Sequence, residues 1–216
     1  LLESKVAPKK KEIKDIPIGN LYKYAESLTR YDESLKPCHE AAIKKYKVSS
    51  TEIFDPKCKI GIEVEVENVP HYNDSDMYCW MHHNDDSLRN NGREFVTTPI
   101  QGEQIPAALH HLFQQILPKG YDFSKRTSVH VHMNVRNLTP PQVTTIICLY
   151  QVFEKLLFRF VGQNRFNNIF CVPLLQTQIS NNLLYNMETG FKNIRWYKYS
   201  CINLIPIHNQ GSIEFR

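Results

Sequence analysis

The sequence predicts an α+β domain, a largely antiparallel sheet with helices on its apolar face. Three observations carry that expectation. Residues 60–67 read Ile-Gly-Ile-Glu-Val-Glu-Val-Glu, the period-2 alternation of a strand with one face in a core. The same alternation returns at Ser128-Val-His-Val-His-Met-Asn-Val135 and at Gly211-Ser-Ile-Glu-Phe-Arg216. Helical patterns lie between these runs, without the regular strand–helix–strand succession of a parallel sheet.

Taken in order, residues 1–18 carry Lys9-Lys10-Lys11 and two prolines, the composition of a flexible basic lead-in. From 20 to 46 a helical pattern runs through Leu21, Tyr24, Leu28, Tyr31 and Leu35, breaks near Pro37 and resumes at His39. This segment carries no chemistry and reads as a docking extension or a linker, so two parts are expected: a basic extension, 1–50, and a main domain, 51–216. Strands are expected at 58–68, 92–98, 127–136, 199–205 and 211–216, and helices at 102–117 and 140–161. The second helix opens after Thr139 with Pro140-Pro141, an N-cap followed by proline in the first turn. The polar stretch 71–91 reads as a long loop. The chain starts without Met and stops inside a strand pattern, so it reads as a fragment truncated at its C-terminus.

Composition narrows the function. At 216 residues, with 42% hydrophobic and 11% aromatic content, the chain can bury a substantial core. Its net charge of +4 sits entirely in the extension: residues 1–50 hold 11 Lys/Arg against 7 Asp/Glu, and residues 51–216 hold 15 of each. The main domain therefore lacks the basic excess of a nucleic-acid binder. Six cysteines without Cys-x-x-Cys spacing argue against a thiol zinc site and fit a reduced, cytoplasmic protein. No apolar run has membrane length.

The polar strand faces carry the candidate chemistry. Glu63, Glu65 and Glu67 stand in a row, about 7 Å apart, with no Lys or Arg interleaved. A solvent-exposed strand explains one such row by itself, whereas a divalent cation would relieve the repulsion. On 128–135, His130, His132 and Asn134 face one way and the valines the other; His at i and i+2 can converge on one metal or anion. Cupin metal sites share this His-x-His, but there a Glu follows closely, and here the next acid is Glu154. Glu94 follows Gly92, which permits close approach. Glu214 and Arg216 share the polar face of the last strand, either pairing with each other or holding a metal and a phosphate. One sheet would bring all these groups together, and carboxylates with an imidazole suit Mg²⁺ or Mn²⁺ better than zinc.

The segments GIEVEVENV, DDSLRNNGREFVTTP, SVHVHMNV, GQNRFNNIFC and YSCINLIPIHNQGSIEFR occur in the order found in the amidoligase family. The chain over about 59–216 resembles that branch of the glutamine synthetase and γ-glutamylcysteine ligase superfamily of carboxylate–amine ligases. The resemblance implies a curved antiparallel sheet with ATP and Mg²⁺ (or Mn²⁺) on its concave face. It implies metal ligation by Glu63, Glu65, Glu94, His130 and Glu214, and leaves Glu67 at the rim. His132 and Arg216 would face ATP phosphate or substrate, and Arg165, with Asn168, would contact substrate or phosphate. The implied reaction joins a carboxylate-bearing and an amine-bearing substrate, free or on a peptide or protein side chain. A metal-dependent hydrolase of phosphate esters or amides, or a non-catalytic protein keeping the fold, are the alternatives. Neither nucleic acid nor membrane is an expected partner, and oligomeric state is not readable.

Overall fold

A six-stranded antiparallel sheet organises the chain, in a computed structural model that describes residues 11–25, 33–47, 58–69, 71–117, 120–177, 182–194 and 196–216. Its strands are β1 (Ile60–Val66), β2 (Trp80–His83), β3 (Arg93–Thr97), β4 (Val129–Asn134), β5 (Ile202–Asn203) and β6 (Ser212–Phe215), in the spatial order β2-β3-β1-β4-β6-β5. The alternating runs thus become the three central neighbours, with Glu63 opposite His130 and His132 opposite Glu214. Because side chains alternate, this register stacks the polar residues of β1, β3, β4 and β6 on one face.

Helices cover the other face, with α1 (Ile18–Leu21) and α2 (Lys36–Tyr46) preceding the two that line it, and the core divides in two. α3 (Gln104–His111) packs Ala108 against Ile62, Val64, Val66, Trp80 and Phe95. α4 (Pro140–Val161) packs Val143, Ile147 and Phe158 against Val135, Ile202 and Ile213. The expected strand core at Val129 and Val131 is incomplete. Val129 is half-exposed and Val131 only partly buried, because neither belongs to either cluster.

Other departures have local causes. The stretch 71–91 contains β2, held by Trp80, whose Nε1 donates to Ala108 O at 3.0 Å. The helix expected over 102–117 is α-helical only to His111 and ends in a π turn, Leu112–Ile116. The run 199–205 joins the sheet over only two residues, Ile202 and Asn203, since Pro206 starts a short helix just after. Short helices at Gln163–Phe166, Leu183–Glu188 and Pro206–Asn209 had no sequence pattern long enough to announce them.

The N-terminal segment packs on both cores. Residues 1–10 and 26–32 lie outside the described residues, as does the domain boundary expected near residue 50. Residues 11–18 are ordered, against the flexible lead-in expected: a 3₁₀ turn at Ile13–Asp15 precedes a wholly buried Ile18, whose N–H donates to Leu138 O at 2.8 Å. Tyr24 Oη donates to Ile207 O at 2.7 Å. The helix Lys36–Tyr46 contains Pro37 in its first turn instead of breaking there, and it packs along α3. Among the described residues no helix is long and apolar enough to cross a membrane.

Candidate functional site

The polar face of the sheet is a closed network of ionisable groups. Glu63, on β1, meets both histidines of β4: its Oε2 hydrogen-bonds His130 Nδ1 at 2.9 Å, and its Oε1 lies 2.9 Å from His132 Nε2. From β6, Glu214 Oε1 lies 3.4 Å from His130 Nδ1 and 2.7 Å from Arg216 Nε. Its Oε2 accepts from Asn203 Nδ2 on β5 at 2.7 Å. Glu65 accepts from Ser128 Oγ, which also contacts His130 Nε2, and His132 Nδ1 lies 3.1 Å from Ser212 Oγ. His130, Glu65 and Glu214 are buried, so few of these charges are diluted by solvent.

Burial and mutual repulsion divide the carboxylates into two kinds. Burial works against ionisation of Glu63, yet hydrogen bonds from His130 and His132 hold its carboxyl well below the usual carboxylate range. Glu94 stands opposite Glu65 across β1 and β3. Its carboxyl is pushed up to about 8, first by burial and then by the charges of Glu63 and Glu65. Burial also raises Glu65, against the pull of His130. Two like-charged acids in adjacent register cannot both ionise cheaply without a cation between them.

Among the described residues, Glu63, His132 and Glu214 each offer one ligand atom within 4.8 Å of the others. The fit to a cation is supported by buried polar atoms that lack a well-aligned hydrogen bond. His132 Nε2, Glu214 Oε1 and Arg216 Nε are all of this kind, although their charge partners lie at 2.9 and 2.7 Å. Two carboxylate oxygens and one imidazole nitrogen, with room for oxygen from water or phosphate, could hold Mg²⁺ or Mn²⁺. The grouping selects His132 for this set, while both ring nitrogens of His130 are engaged by Glu63 and Ser128.

The chain matches no protein-family model, no curated protein and no solved structure.

The remaining expected residues divide by place. Glu65 and Glu94 border the cluster, and Arg216 reaches it through Glu214. Arg165 lines a separate open cavity of about 360 Å³ with Phe123, Ser124, Lys125 and Asn168. Its Nη1 donates to Thr127 O at 3.1 Å, one residue from Ser128, and its buried Nη2 has no hydrogen-bond partner among the described residues. Asn168 is buried and donates to Lys125 O at 2.7 Å. Glu67 points elsewhere: buried, it accepts from Arg89 N at 2.9 Å and fastens the loop after β2. Phe191 is fully buried and Trp196 Nε1 donates to Ile202 O at 2.6 Å, whereas Tyr197 is half-exposed.

Sequence reading passed over four groups. Ser128, Ser212 and Asn203 orient the acids and imidazoles, and their only signal is position on the polar face of a charged strand. His83, opposite Glu94 on β2, shares that face too. It could have been found only by recognising Trp80–His83 as a strand.

Proposed function

We propose that the chain is an ATP- and Mg²⁺-dependent carboxylate–amine ligase with the curved-sheet fold of the glutamine synthetase superfamily. One observation carries the reading: groups from three strands, Glu63, His132 and Glu214, converge within 4.8 Å, with a guanidinium 2.7 Å from one of them. Phosphoryl transfer asks for positioned charge more than for covalent help, and this face offers acids to hold cations and arginines to meet phosphate.

In this reading Glu63, His132 and Glu214 hold a divalent cation, with Glu65 and Glu94 at its border. Bound there, the cation would supply neutralisation of phosphate charge. His130 and Ser128 fix the carboxylates of Glu63 and Glu65. Arg216 stabilises charge on the transferring γ-phosphoryl, and Arg165 with Lys125 receives an anionic part of ATP or substrate. The substrate carboxylate takes the phosphoryl group, and an amine displaces phosphate from the acyl phosphate to leave an amide. Cys79, Cys171 and Cys201 are buried as thiols, and the proposed setting is the cytoplasm.

The test is phosphate release from ATP and Mg²⁺ across a panel of carboxylates and amines. Release should require both partners and fall at least about 100-fold in Glu63→Gln and Glu214→Gln, as losing a charge-stabilising group does. Release needing no amine identifies a metal-dependent hydrolase instead. Absence of ATP–Mg²⁺ binding by calorimetry, or full activity in both variants, rejects the assignment.

A further inference from the structure

The outer face of α4 exposes a second apolar stripe. Its inner face is satisfied by Val143, Ile147 and Phe158 in the core. Outward stand Leu149, Val152, Phe153, Leu156 and Phe160, with Val152 74%, Leu156 61% and Phe160 88% exposed. Exposed hydrophobics scattered singly need no explanation, but a contiguous helical row does. At about 180 Å² per fully exposed side chain of this size, these five leave on the order of 600 Å² of apolar surface in water. That approaches the roughly 800 Å² per partner that a stable dimer buries.

We propose that a second copy of this chain covers the stripe, with the two α4 helices packed antiparallel across a two-fold axis. The spacing carries the choice of occupant. Leu149, Phe153, Leu156 and Phe160 are separated by four, three and four residues, the interval of alternating d and a positions. This interval reads the same in both directions. An antiparallel two-fold centred between Glu154 and Lys155 therefore sets Phe153 of each copy against Leu156 of the other, and Leu149 against Phe160. The flanking positions hold Val152 and Leu157, which widen the contact, and Leu175 and Leu184 are exposed on elements packed against α4.

Charge does not oppose the arrangement. Glu154 turns inward, its Oε1 accepting from Leu174 N at 2.6 Å and lying 3.2 Å from Cys201 Sγ. Lys155 and Arg159 are the exposed charges of this stretch. In the antiparallel register Arg159 lies opposite Tyr150, so the two copies of Arg159 stand about 13 Å apart along the axis, beyond the Debye length of about 8 Å. Lys155 points away from the contact. Since α4 lies under the apolar side of the sheet, the two carboxylate faces would look outward, back to back.

Sedimentation velocity of the full chain tests this. Wild type should sediment as a dimer at about 10 µM, as interfaces of this size commonly do. Phe153→Glu and Leu156→Lys, each at an exposed position and checked by circular dichroism for retained fold, should each weaken self-association at least tenfold. Mixing the two variants should restore a dimer, because only an antiparallel pairing brings residue 153 of one copy against residue 156 of the other. A wild-type monomer at 100 µM overturns the proposal, as do folded variants that dimerise like wild type, or a mixture that stays monomeric. A monomer that co-sediments with phosphatidylcholine–phosphatidylserine vesicles also overturns it and assigns the stripe to a lipid surface.

Discussion

At the residue scale, Glu94 is the most informative group. Its carboxyl, pushed up to about 8 from an ordinary 4.5, binds its proton more tightly in the folded chain than in the unfolded one. Its stabilising contribution is therefore full below about pH 4.5 and is lost as pH rises through about 8. Glu63 has the opposite sign: held low by two imidazoles, it stabilises at neutral pH and that contribution disappears in acid. Metal-free wild type should thus lose melting temperature from about pH 5 to pH 8 relative to Glu94→Gln. Parallel Tm–pH curves for the two proteins would remove the repulsion argument. Added Mg²⁺ should raise the wild-type Tm at pH 8, by mass action on the folded state, and should do so less in Glu214→Gln.

At the element scale, strict alternation makes β1, β4 and β6 the most legible strands; β3 and β5 fall within the runs expected at 92–98 and 199–205, and β2 is the strand the sequence hides. β1, β4 and β6 announce themselves because carboxylates or imidazoles alternate with Ile, Val, Met or Phe. The same alternation places Glu63, Glu65, His130, His132, Glu214 and Arg216 on the polar faces of their runs. β2 escaped because it is four residues long, with Trp80 as its one buried residue, set in polar chain. A single anchor of this kind gives a sharp expectation: Trp80→Ala should cost about 3–5 kcal/mol in urea unfolding. A loss under about 1 kcal/mol would show that β2 is not pinned through Trp80. Polar side chains that orient others, such as Ser128 and Asn203, carry no period, so only the assembled sheet reveals them. α4 was legible to its ends because Thr139 and the prolines after it mark the start and Gly162 the stop.

At the scale of the whole molecule, the N-terminal segment is bound into the body through Ile18 and the tyrosines that follow. Ile18→Ala should destabilise the entire fold by about 2–5 kcal/mol, read from a single unfolding transition; a shift under about 1 kcal/mol would mean that the segment docks without supporting the core. The alternation in β1 has one more effect, on how the chain reaches this fold at all. Slipping β1 by one residue against β3 or β4 would drive Glu63, Glu65 and Glu67 into the hydrocarbon interior and expel Ile62, Val64 and Val66 to water. Each misaligned pairing would bury unpartnered charge and so be strongly disfavoured, and the acids of this face thereby also proofread the assembly of the sheet.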